Sequence, residues 1–204
     1  MREGLGKGPK AGEKPVVTAD DGISRVEALR RRLRGHEPAD ELEQRYVTRM
    51  LALLGHGERA LSRDFFEPGH FTASAFVLSP ERDALLLILH QKLGLWLQPG
   101  GHVEPEDVSL EAAARREADE EVGLGALELA YPGIFDVDIH DIPAYSTQPA
   151  HQHFDVRFLF VSPTREVRSS SEAKDARWTR LDDVSLTNTD ESFMRAVRRL
   201  SARG

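Results

Sequence analysis

The chain has 204 residues, a net charge of −7 and no cysteine. That length suits one sizeable domain with an appendage, and the missing cysteine excludes disulfides, thiolate metal sites and cysteine nucleophiles. No apolar run approaches the roughly 18–20 residues of a membrane span, and the opening MREGLGKGPKAGEKP has no apolar signal core. A soluble, cytoplasmic protein with no membrane partner is expected.

Residues 1–22 are rich in Gly, Lys and Pro, lack periodicity, and read as a disordered tail. Residues 23–66 read as a helical segment. Ser24 is placed to cap a helix with Val26, Leu29 and Leu33 on one side and Arg30, Arg31, Arg32 and Arg34 largely around the other. Pro38 is placed to open a second helix with Leu42, Tyr46, Met50 and Leu53 as its stripe and Gly55 as its stop. The arginines read as a solvated face, with an anion or nucleic-acid site as the alternative. These helices could cap the fold, cover a cleft or make a homodimer.

From Phe71 the period changes. FTASAFVLSP and ALLLILHQKLG read as two strands, the second apolar on both faces as a covered central strand is. Ser109 to Val122 reads as a helix, with Ser109 its N-cap and Gly123 its stop. Strands are expected at Leu127–Tyr131, Gly133–Ile139, His153–Val161 and Asp175–Arg180, and a closing helix at Asp190–Ala202. This order predicts an α/β fold, a mixed sheet between helices, over residues 67–204.

The helix at 109–122 carries Glu117, Glu120 and Glu121. Positions i, i+3 and i+4 share one helical face, about 5–6 Å apart. Between Glu104 and Glu121 there are eight acidic residues against two basic ones, so this stretch holds nearly all the net charge. Such a face disfavours direct contact with nucleic acid. It is either a solvated stripe or a cation site. The preceding Gln98-Pro99-Gly100-Gly101 is a turn that would bring backbone carbonyls to it. Carboxylates and carbonyls make an all-oxygen site, which suits Mg²⁺ or Mn²⁺ rather than Zn²⁺. The coherent chemistry is metal-assisted attack of water on a diphosphate, with one glutamate as general base.

The stretch resembles the Nudix box, G-x5-E-x7-R-E-U-x-E-E-x-G-U, where U is a bulky aliphatic. Gly101, Arg116, Glu117, Glu120, Glu121, Gly123 and Leu124 match it. Two features depart. Asp107 stands at the first acidic position with one extra residue before Arg116, expected in the loop ahead of the helix, and Ala118 replaces a larger aliphatic. The resemblance implies a Nudix-type α/β/α sandwich that hydrolyses a nucleoside diphosphate linked to another group. It implies Glu117, Glu120, Glu121 and the Gly101 carbonyl as metal ligands. Glu117 and Glu120 would be catalytic, and Arg116 would orient the carboxylates. The alternative is a non-catalytic Nudix module that binds a nucleotide. An isopentenyl diphosphate isomerase would need the catalytic cysteine that this chain lacks.

Outside the box, His151, His153, Asp155 and Arg157 alternate with Phe154, Val156, Phe158 and Phe160, which places the four polar groups on one side of a strand. They either line the substrate cleft, with Arg157 and His153 meeting phosphate, or form a wet face. His102, after the Gly-Gly turn, is a further substrate candidate. Glu172 is a candidate extra carboxylate, and His70 reads as structural.

Overall fold

The computed structural model describes residues 23–91, 93–168 and 175–202. The tail at 1–22 and the candidate Glu172 lie outside the described residues. Two helices open the described chain: α1, Arg25–Arg34, and α2, Glu41–Leu53. Ser24 caps α1 as expected, accepting from the Glu27 amide. α2 starts three residues beyond Pro38, because Asp40 supplies the cap to the Glu43 amide. The chain does not stop at Gly55. It continues as a 3-10 stretch, Leu54–Leu61, kinked at Gly57.

Among the described residues eight strands follow in one mixed sheet: β1 Gly69–Leu78, β2 Ala84–His90, β3 Leu95–Leu97, β4 Gly100–His102, β5 Glu128–Leu129, β6 Asp136–Ile142, β7 His151–Val161 and β8 Ala176–Arg180. α3, Leu110–Val122, lies between β4 and β5, and α4, Glu191–Ser201, closes the fold. The central pair is β1 with β7, parallel from Gly69 opposite Gln152 to Leu78 opposite Val161. β2, β4 and β6 flank this pair in antiparallel ladders. β2 is buried from Ala84 to Ile88, as its two-sided apolar run predicts. β3 and β4, three residues each, were not expected; they are too short to show an alternation.

Helices cover both faces of the sheet. On one, Phe71, Ala73, Ala75 and Val77 of β1 and Phe154, Val156, Phe158 and Phe160 of β7 share a core with Ala113, Ala114 and Ala118 of α3. α1 and α2 belong to the same core through Leu29, Leu33, Val47 and Met50. These helices therefore cap the fold. On the other face Phe76, Leu78 and Leu159 pack against Phe193, Ala196 and Val197 of α4, with Phe76 and Phe193 stacked at 5.1 Å. That face changes character along the strands. Past Phe76 toward the start of β1 come Ser74, Thr72 and His70, and beside them on β7 come Arg157, Asp155 and His153. α4 covers the apolar half, and its Ser192 and Arg195 reach Arg157 and Asp136 in the polar half.

The α2 stripe is shifted from expectation. Leu42 is exposed and Glu43 is fully buried. Glu43 meets His36 Nε2 at 2.7 Å and accepts from the Ala39 amide and from Arg199 of α4. Burial opposes its charge, but the His36 and Ala39 hydrogen bonds and Arg199 outweigh it and hold the carboxyl below its usual range. We expect Glu43→Gln to lower stability by about 1–3 kcal/mol at pH 7, the usual cost of leaving buried hydrogen-bonding groups unsatisfied. A depressed pKa contributes stability above the unfolded value and loses it as pH falls through the folded one. The gap between wild type and variant in urea melts should therefore narrow below about pH 4.

Candidate active site

The Gln98-Pro99 link carries the chain from β3 into β4, which lies antiparallel to β1 with Gly101 opposite Ala73 and His102 opposite Thr72. Gly101 faces α3. A Cβ built there would sit 2.6 Å from the carboxyl carbon and Oε1 of Glu117. Only glycine lets that carboxylate close onto the backbone of the turn. Glu121 is buried and its Oε2 accepts from the Gly100 amide at 3.0 Å. Glu120, one turn along the helix from Arg116, has a side chain 56% exposed, against 12% for Glu117. The three carboxylates thus run from the interior to solvent along one edge of α3.

Arg116 holds this edge together. Its Nε and Nη2 donate to Asp107 at 3.1 and 3.0 Å, Nη2 also to the His102 carbonyl at 2.9 Å, and Nη1 to Glu117 and Glu120 at 3.0 and 2.9 Å. Asp107 in turn accepts from the Glu104 amide at 2.8 Å. The Asp107 hydrogen bond, with the charges of Glu117 and Asp107, pushes the guanidinium further up against burial. Asp107 therefore faces Arg116. Between Asp107 and the start of α3 at Leu110 the chain is a loop ending in the N-cap Ser109. Ala118 is fully buried against the sheet, which suits its small size. Gly123 takes the left-handed conformation (φ 75°) that ends α3. α1 braces the same loop: Arg25 donates to the Glu104 and Asp107 carbonyls at 2.9 Å, and Arg32 pairs with Glu111 at 3.0 Å. Of the four arginines expected on a solvated face, Arg30 and Arg32 find protein partners in the Leu54 carbonyl and Glu111, and Arg31 and Arg34 are exposed.

The oxygen-only donor set and the glycine-backed carboxylate fit a hard divalent cation. Glu117, Glu120 and Glu121 would hold it with a carbonyl of the Gly101 turn.

Of the alternating groups of β7, Asp155 and Arg157 belong to the interior rather than to a cleft wall or a wet face. Arg157 is 3% exposed. Its Nη1 donates to Asp136 and its Nε to Asp155, both at 2.9 Å, and its Nη2 donates to Ser192 Oγ of α4 at 2.7 Å. Asp138 lies 3.6 Å away, and Arg195 pairs with both Asp136 and Asp138. Asp155 also accepts from Thr72 and Ser74 of β1. Burial opposes the charge on Arg157, but three carboxylates hold it well above its usual range. The phosphate contact expected of Arg157 is corrected accordingly: its guanidinium is occupied by these groups in the interior.

His102 and His153 are brought together with His70, His140 and His151. The ring centres of His70 and His153 lie 4.8 Å apart, and those of His102 and His153 5.3 Å apart. Burial, reinforced by the neighbouring imidazoles, pushes His102 down to about 4 and His153 to about 2. Only the alternation is visible in the sequence; the cluster arises because β1 and β7 pair in parallel and β4 and β6 flank them.

The NUDIX domain profile matches residues 68–200. The chain belongs to the Nudix family. A probable DHNTP pyrophosphohydrolase of Lactococcus lactis subsp. cremoris is 38% identical over 90 residues, which are 43% of this chain and 51% of that protein. The chain thus matches about half the length of this curated relative. Among solved structures, the Escherichia coli dihydroneopterin triphosphate pyrophosphohydrolase superposes with a TM-score of 0.53 at 15% identity, over 66% of this chain and 96% of its own. The NUDIX domain of Shewanella oneidensis NrtR, solved with ADP ribose, gives 0.50 at 18% identity, over 65% and 86%. At these identities the neighbours establish the Nudix fold alone. No helix among the described residues is long and apolar enough to cross a membrane.

Proposed function

We propose that the protein is a divalent-cation-dependent Nudix pyrophosphohydrolase. Its substrate would be a nucleoside diphosphate linked to another group, cleaved by attack of water on phosphorus. The carrying observation is the Glu117, Glu120 and Glu121 edge closed against Gly100 and Gly101 and oriented by Arg116. A bound Mg²⁺ or Mn²⁺ would neutralise phosphate oxygens and lower the pKa of the attacking water. Glu121 fixes the turn to the helix through the Gly100 amide. Arg116 spreads its donors over Asp107, Glu117 and Glu120 and so sets the spacing of the carboxylates. Glu117 or Glu120 accepts the proton of the water. Pterin triphosphates enter the candidate substrates because the Lactococcus relative carries that name, and ADP-ribose because of the NrtR complex.

The test is a panel of nucleotide sugars, ADP-ribose, dinucleoside polyphosphates, NTPs and dihydroneopterin triphosphate, with Mg²⁺ or Mn²⁺ and with a chelator. We expect turnover of at least one substrate class, abolished by the chelator and restored by excess cation. Tight binding of a nucleotide by calorimetry with no product formed would overturn catalysis in favour of a binding module.

A further inference from the structure

The mechanism above leaves the histidine cluster unused. His70 on β1 sits in register with His153 on β7, and His151 lies two residues along the same face of β7. One ligand nitrogen from each of these three lies within 4.8 Å of the others. His70 is 1% exposed, and its Nε2 is buried without a hydrogen-bond partner. Such an orphan calls for an explanation, and an absent ion is one of the standard ones.

The outer hydrogen bonds fix which nitrogens face inward. His70 Nδ1 lies 3.1 Å from the Phe65 carbonyl, and His151 Nδ1 lies 2.8 Å from the Pro149 carbonyl. A carbonyl oxygen only accepts, so each Nδ1 carries the hydrogen and each Nε2 presents a lone pair. This is the arrangement by which a backbone carbonyl orients an imidazole toward a metal. His151 Nε2 and His153 Nε2 are 3.3 Å apart. Two nitrogens bound tetrahedrally to one Zn²⁺ at about 2.0–2.1 Å are separated by about 3.3–3.4 Å. The His70 nitrogen lies within 4.8 Å of both, and binding an ion would draw it closer.

We propose that His70, His151 and His153 bind one divalent transition-metal ion, Zn²⁺ in the first instance, at a site separate from the carboxylates of α3. Three imidazoles suit Zn²⁺, Ni²⁺ or Cu²⁺ and are poor ligands for Mg²⁺. They leave the fourth tetrahedral position open to water or a ligand oxygen. Access is from the side of His151, which with Phe66, Pro68, Ile142 and Ala150 lines an open hollow of about 540 Å³. The ion would tie the start of β7 to the start of β1. It would also lie close to His102, whose carbonyl Arg116 holds.

The test is calorimetric titration of ZnCl₂ into the chelator-stripped full chain in excess MgCl₂. We expect one equivalent bound by wild type and by Glu120→Gln. His151→Ala and His153→Ala should weaken it at least about 100-fold, more than the roughly 10–100-fold for loss of an outer-shell partner. A readout on wild type removes dependence on how the variants fold: Zn²⁺ should shift the imidazole ¹⁵N resonances of His70, His151 and His153. No stoichiometric uptake in Mg²⁺, uptake unchanged in both histidine variants, uptake lost in Glu120→Gln, or unmoved histidine resonances would each overturn the proposal.

Discussion

Glu120→Gln is expected to lower kcat/KM on the best substrate by about 10²–10⁴-fold, the range that removal of a positioned acid–base group produces, with little change in the melting curve. The two halves of this expectation have different physical origins. Glu120 is the most exposed of the three carboxylates, and it pairs with Arg116 at 2.9 Å. A surface pair of this kind contributes about 0–1 kcal/mol, so the fold should not register the loss. The cation would. Amide for carboxylate keeps the shape and removes one of three charges, and the Mg²⁺ concentration needed for half-maximal rate should rise. Steady-state kinetics across a Mg²⁺ series, with a thermal melt of the same preparation, read both. Undiminished turnover would remove Glu120 from the site. A collapsed melt would show that Arg116 depends on it for structure rather than chemistry.

How much of this was legible from sequence differs between the two polar regions. The α3 edge was readable because its information is local. Glu117, Glu120 and Glu121 lie within one helical turn and a half, and the Gly-Gly turn that backs them is the adjacent element. β7 was readable only by half. Period 2 correctly put His151, His153, Asp155 and Arg157 on one face, but it carries no information about what covers that face. Ser192 and Arg195 of α4 and Asp136 of β6 are what make it interior. His70 meets His153 only through the parallel β1–β7 pairing. Glu43 was missed for a related reason: on α2 it falls on the buried face beside Val47 and Met50, and its cation Arg199 comes from the far end of the chain.

The second large effect should be structural. Arg157→Met is expected to lower stability by about 3–5 kcal/mol, the cost of removing one partner from a buried ionic group. For a protein of this size that is a fall of roughly 10 °C or more in the melting temperature. Methionine fills much of the volume, so the loss is electrostatic. Asp136, Asp138 and Asp155 are each at most 3% exposed; Arg195 would remain to face the first two, with His140 beside Asp138. Asp155 would keep Thr72 and Ser74 but lose its cation. The pH dependence separates this from a packing defect. In wild type, burial works against the charge on Asp138, but the His140 hydrogen bond and Arg157 hold its carboxyl well below the usual range. Its contribution is present above the unfolded value and fades as pH falls through the folded one. In the variant the stranded carboxyls are pushed up by burial, so their penalty is greatest at neutral pH and is relieved as they take up protons. The stability gap should be widest near pH 7 and shrink toward pH 4, whereas a cavity would leave it constant. Activity should fall with stability, because Ser74, which the Asp155 side chain holds, lies opposite Gly100 in the β1–β4 ladder. The buried network thus reaches the turn on which Glu117 and Glu121 close.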